Sequence, residues 1–107
     1  MYPFVMKPWG MEIWFINTNF YCWKMITCVH HRWSSGGKYH YHKLKDETFF
    51  VVRGVLEIDI NEIPCKVYPQ KTIRVKPYSR HRFRSEGNSC VFYEISTHHS
   101  EDDSIRI

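Results

Sequence analysis

"GGKYHYHKLKDETFFVVRG" (Gly36 to Gly54) sets two histidines, an acid and a strand-like apolar run between glycines. Alternate residues of a strand point to one side, so His40 and His42 project together, about 6.6 Å apart along the chain. Two imidazole nitrogens at that separation can converge on one metal ion, each about 2.1 Å from it. Glu47 follows a turn and opens the next strand, from which its carboxylate can reach the same point. Gly54 ends that strand where a tight turn calls for positive φ. With seven histidines in 107 residues, an HxH pair alone arises by chance roughly 0.4 times. The full string His40-x-His42-x4-Glu47-x6-Gly54 arises roughly a few times in a thousand, which separates a metal site from an accident of composition. A fourth element lies downstream in "KPYSRH" (Lys76 to His81), where Pro77 fixes a turn and His81 enters a further strand. Three histidines and one carboxylate suit one divalent transition metal (Mn, Fe, Co, Ni or Zn), with positions left open for water or substrate.

Outward from this stretch the chain keeps the period of a strand. Hydrophobic residues make up 43% and aromatic residues 17% of the composition, an excess that favours strands over helices. Expected strands are Glu12–Ile16, Phe20–Trp33, Thr48–Arg53, Val55–Ile60, Ile63–Tyr68, Thr72–Lys76, His81–Arg84 and Cys90–Thr97, with a short extended piece at Tyr39–His42. Turn-forming clusters such as "SSGGK", "YPQK" and "SEGNS" separate them. Many short strands at tight spacing predict one all-β domain over residues 1–107, a sandwich or small barrel. Residues 1–10 read as an N-terminal arm or edge strand. Residues 98–107 read as a polar tail, either mobile or ordered against a partner.

Several residue classes carry bland expectations. The four cysteines (Cys22, Cys28, Cys65, Cys90) show no CxxC spacing and read as small buried thiols. His30 and His31 are adjacent and cannot both face one site, and His98 and His99 fall in the polar tail. Lys43, Lys45 and Asp46 read as solvated turn residues. Phe49 and Val51 share parity with Glu47 and should line the interior above the metal. Phe50 and Val52 point the other way, so the run is apolar on both faces and predicts a homodimer, with the N-terminal segment as a candidate exchanged arm. The net charge of +4 is scattered, which excludes a nucleic-acid footprint and supports at most a preference for anionic small molecules. No apolar run reaches the ~20 residues that a membrane helix needs, and no leader opens the chain, so a cytoplasmic location is expected.

The metal-ligand string resembles the first motif of the cupin superfamily, G-x5-HxH-x3,4-E-x6-G, through Gly37, His40, His42, Glu47 and Gly54, although only two residues separate Gly37 from His40. "KPYSRH" resembles the second motif, P-x-G-x2-H, through Pro77 and His81, with Ser79 at the glycine position. The resemblance implies a cupin double-stranded β-helix, a jelly-roll-like antiparallel β-barrel. Two further stretches, "KPWGMEIWF" (Lys7 to Phe15) and "YEISTHHSEDDSIRI" (Tyr93 to Ile107), are similar to the opening and closing segments of the cupin domain in type II mannose-6-phosphate isomerases. That family continues past this point to a "D-x-YGR" segment.

The narrower resemblance implies a sugar or sugar-phosphate isomerase, in which the metal stabilises an enediolate and a base moves a proton between neighbouring carbons. Glu47 is either a metal ligand or that base, and Glu94 is the second candidate. Lys24, mid-strand among aromatics, is the candidate inward positive charge for a carbohydrate or anionic sugar, and Phe49 would line the same space. Arg80, Arg82 and Arg84 alternate away from His81 and are expected outside. Two other readings stay open, since fold does not determine chemistry: a non-haem iron dioxygenase on the same ligands, and a non-catalytic sugar-binding cupin.

Overall fold

Alternation of buried and outward side chains shapes almost every element of the computed structural model, which describes residues 3–107. In β3 (Cys22–Val29) the even positions are buried, in β5 (Glu47–Arg53) the odd ones, and in β10 (Ser89–Ser96) the even ones again. These three strands pair antiparallel at the centre of a six-stranded sheet, flanked by β1 (Phe4–Lys7) and β2 (Gly10–Asn17) on one side and β8 (Thr72–Val75) on the other. The facing five-stranded sheet runs β11 (Ile105–Arg106), β4 (His40–Tyr41), β9 (His81–Ser85), β6 (Leu56–Ile60), β7 (Ile63–Val67). All pairings are antiparallel. No α-helix occurs among the described residues, and no helix is long and apolar enough to cross a membrane.

One end of the space between the sheets is a dry core. Phe49, Val51, Leu56, Ile58, Phe83 and Phe92 meet there with Trp9, and each such side chain withdrawn from water contributes about 1.5–3 kcal/mol. The Phe49, Phe83 and Phe92 rings lie 4.8–5.9 Å apart by centroid, in tilted and edge-on arrangements. Gly54 turns β5 into β6 at φ 77°, and a side chain there would run into the Ser89 carbonyl and the Cys90 backbone.

Four expectations change. The long strand over Phe20–Trp33 is confined to Cys22–Val29. Before it, the Thr18 hydroxyl accepts the backbone N–H groups of Phe20 and Tyr21, and after it His30 and His31 adopt positive φ. Cys65 is exposed on the outermost strand, while Cys22, Cys28 and Cys90 are buried thiols. The N-terminal segment from Phe4 folds back on β2 of its own chain, with Phe4 opposite Ile13 and Lys7 opposite Gly10. Met1 and Tyr2 of the expected arm lie outside the described residues. The polar tail orders on the chain itself: a 3-10 turn at Glu101–Asp103 leads into β11, which pairs with β4.

Candidate metal centre

At the opposite end of the inter-sheet space the buried residues are polar. β4 brings His40 to the inner face, His42 follows just past its end, and β9 delivers His81 directly opposite His40 in register. Ligand atoms of the three histidines lie within 4.8 Å of one another. From the facing sheet, β5 places Glu47 against them. Its Oε2 stands 3.3 Å from His42 Nε2 and 3.4 Å from His81 Nε2. Donors each about 2.1 Å from one ion, separated by 90–109°, lie about 3.0–3.4 Å apart, so this spacing fits a shared cation.

The protonation pattern makes the same demand. His42 Nδ1 sits 3.0 Å from the Asp103 carbonyl and His81 Nδ1 2.9 Å from the Ser79 carbonyl. A carbonyl only accepts, so each Nδ1 carries a proton and leaves Nε2 as the ring atom turned to the interior. Both Nε2 atoms face Oε2 of Glu47, a residue only 2% exposed. Glu47 Oε2, His81 Nε2 and His40 Nδ1 are buried without a hydrogen-bond partner. A buried polar atom left unpaired costs about 1–3 kcal/mol, and a cation held by these side chains would offset that cost.

Burial, with the His81 imidazole beside it, lowers the pKa of His40 to about 2, so the ring stays neutral, as a metal ligand must. Burial works to raise the Glu47 pKa, but the His42 and His81 rings and the Lys45 ammonium hold the carboxyl well below the usual range. The turn that presents His81 carries Ser79 where the resembled motif has glycine. Its left-handed position falls on Tyr78 (φ 67°), whose N–H donates to the His42 carbonyl at 2.6 Å.

Beyond His40, His42, His81 and Glu47, the cavity holds a charge network. Lys45 is only 2% exposed, not solvated. Its Nζ lies 2.6 Å from Glu94 Oε2, 2.8 Å from His99 Nδ1 and 3.8 Å from Glu47 Oε1. Burial would lower the Lys45 pKa, but Glu94 and Glu47 outweigh it and the net direction is upward. Lys45 shares the parity of Glu47, Phe49 and Val51, and that parity was the available signal for its inward course. His99 is the second residue missed by the sequence reading: it bridges Lys45 and Glu101, whose Oε1 lies 3.0 Å from Nε2. Nothing near His99 in the chain announces this.

The remaining candidates fall as follows. Glu94 faces inward at 4% exposure, and Ser96 donates to its Oε2. Lys24 is buried, 3.6 Å from Glu12 Oε1 and 4.0 Å above the Trp14 ring. Phe49 lines the same cavity, about 460 Å³ in volume, at its boundary with the dry core. Arg82 and Arg84 point out of the site, where they pair with Asp59 and Glu57 and lie over Trp33. Arg80 is exposed.

Comparisons with known proteins agree with this architecture. No curated protein matches the chain by sequence. Among solved structures, KdgF from Halomonas sp. superposes with a TM-score of 0.79 at 13% identity, over 92% of this chain and 86% of that one. PAC13 from Streptomyces, solved with uridine, gives 0.81 at 13% identity over 99% and 84%. CapF from Staphylococcus aureus, a capsular polysaccharide assembling protein, gives 0.80 at 15% identity over 98% of this chain but 34% of its own. At such identities the likeness speaks for the fold alone. The cupin domain family matches residues 27–96, well over half of the chain and including His40, His42, Glu47 and His81, and the chain belongs to the cupin family.

Proposed function

We propose that this chain is a metal-dependent cupin enzyme that acts on a carbohydrate or anionic sugar, as an aldose–ketose isomerase similar to the mannose-6-phosphate isomerases. His40, His42, His81 and Glu47 would hold one divalent transition metal. The observation that carries the reading is the cluster of His40, His42 and His81 ligand atoms within 4.8 Å of one another, beside buried polar atoms of His40, Glu47 and His81 that have no hydrogen-bond partner. When bound, the metal supplies Lewis-acid stabilisation of negative charge developing on neighbouring substrate oxygens. Glu94 is the candidate base for moving a proton between adjacent carbons: Lys45 and Ser96 both bond to its Oε2. Lys45 keeps that carboxylate oriented, and Lys24 and Phe49 bound the space the substrate would occupy.

The test is elemental analysis of the purified protein, followed by incubation of candidate aldose and ketose phosphates in deuterated water. Bound metal with deuterium entering C1 or C2, both lost in His42→Ala, is expected. Metal without exchange would overturn the isomerase reading, and no metal at all would overturn the site.

The reading includes a homodimer through the outer face of the six-stranded sheet. Trp23, Ile95 and Val52 are 38%, 55% and 42% exposed there, beside Met25, Phe50 and Tyr93. None of these carries a charge, and copies of a chain with net charge +4 repel least across such a surface. Light scattering should give a dimer that Ile95→Glu dissociates; a monomeric wild type would sink this part.

A further inference from the structure

The cavity walls carry four carboxylates and five lysine or arginine side chains, and their pairing is uneven. Glu12 has Lys24 within 4 Å, Glu94 and Glu47 share Lys45, and Glu101 lies 3.0 Å from the His99 imidazole. Lys24 and Lys45 are thereby consumed in the interior. Lys7, Arg32 and Arg106 have no carboxylate partner among the described residues, and all three stand toward the solvent side of the same cavity. These three are thus the lysine and arginine charges of the cavity that no carboxylate meets within 4 Å, and Glu101 is the one exposed carboxylate among its walls.

Position ties this rim to the metal ligands. Arg106 on β11 lies directly opposite His40 on β4, and His40 lies opposite His81 on β9. Opposed residues of an antiparallel pair point to one face with Cβ atoms about 4.5–5.5 Å apart, so Arg106 extends one strand beyond the histidines. Arg32 reaches the Lys7–Pro8 segment, its guanidinium 3.5 Å from the Pro8 carbonyl, a contact too long to occupy its donors. Guanidinium groups present paired N–H donors that match the oxygens of a phosphate or carboxylate, and a lysine adds a point charge.

We propose that Arg106, Arg32 and Lys7 form an anion subsite at the cavity mouth, which holds a phosphate or carboxylate of the substrate while its hydroxyl-bearing carbons reach toward the histidines. The proposal rests on the cavity being the substrate site, but not on the identity of the reaction. It assigns specificity to the rim: a neutral sugar lacks the group that these three residues read, and the same field steers anions inward.

Titration of inorganic phosphate into the purified full-length protein, followed by backbone amide shifts, tests the subsite. Saturable shifts are expected at Lys7, Arg32 and Arg106. Affinity should fall about tenfold, or about 1.4 kcal/mol, in Arg106→Gln and in Arg32→Gln, and stay unchanged in Arg80→Gln. A parallel titration with acetate separates the two anions: tighter phosphate binding points to a sugar phosphate, tighter acetate binding to a sugar acid. Absence of rim shifts with both anions, or equal affinity in wild type and the Arg32→Gln/Arg106→Gln double variant, would overturn the subsite. Metal content measured on the same samples keeps the two readings apart. His42→Ala should lose metal and keep the rim response, whereas a wild type with metal and no rim response refutes the subsite alone.

Discussion

The two ends of the inter-sheet space are equally hidden from water and chemically opposite. At the dry end Phe92, Val51, Leu56 and Ile58 are 0% exposed and need nothing from one another beyond close contact. At the wet end Glu47, Lys45, Glu94 and His81 are nearly as buried, yet each needs a particular atom in a particular direction. Lys45 and Glu94 find theirs in each other; His40, Glu47 and His81 do not. The same pair of sheets thus keeps its stability at one end and an unmet electrostatic demand at the other.

The largest effect should come from the dry end. Phe92→Ala removes a ring packed against Phe49 and Phe83 and should cost about 4 kcal/mol in urea unfolding. Metal stoichiometry should survive it, and a loss below about 1 kcal/mol would mean that the core is not where the stability lies. Next, Lys45→Met leaves Glu94 buried and unpaired and should cost about 3 kcal/mol. The Lys45→Met/Glu94→Leu double variant should regain most of that. Failure to regain it would show that Lys45 serves the Glu47 side rather than Glu94.

Acid should weaken the wet end selectively. The unfolded chain protonates His40 near its ordinary 6.5, whereas the folded chain does so only near 2. The unfolded state therefore binds one more proton between those values, and stability of the metal-free protein falls as pH drops below about 6.5, by about 1.4 kcal/mol per pH unit. Glu47, held low in the folded state, adds to the fall below its ordinary 4.5. A flat stability profile between pH 6.5 and 4.5 (chelator present) would contradict this. The smallest effect has the opposite sign. His40→Leu should abolish tight metal binding yet raise the stability of the metal-free protein by up to about 1 kcal/mol, because an unpaired buried nitrogen disappears. Calorimetry with and without chelator reads both changes.

Strand alternation and two local spacings made the fold and the His40–His42–Glu47–His81 grouping legible, because those relations are short-range or repeat with period two. What stayed hidden depends on contacts across the fold. Lys45 sits among polar turn residues, a setting that predicts exposure, yet the Asp103 carboxylate accepts the backbone N–H groups of Lys43, Leu44 and Lys45. That long-range clasp pins the turn while the Lys45 side chain goes inside. Arg106 joins the site because the tail pairs back onto β4, and His99 because the Asn17 side chain on β2 bonds to both its backbone N–H and its carbonyl. Cys65 broke its expectation for a related reason: burial is a property of a strand's neighbours, and β7 has one on a single side.

His42 and His81 take their proton placement from main-chain carbonyls, those of Asp103 and Ser79. No side-chain substitution deletes a carbonyl, so the polarity of both ligands is shielded from ordinary point mutation. It is exposed instead to insertions and deletions that re-route the backbone. For these two protons, the course of the backbone at Asp103 and Ser79 therefore matters more than the side chains carried there.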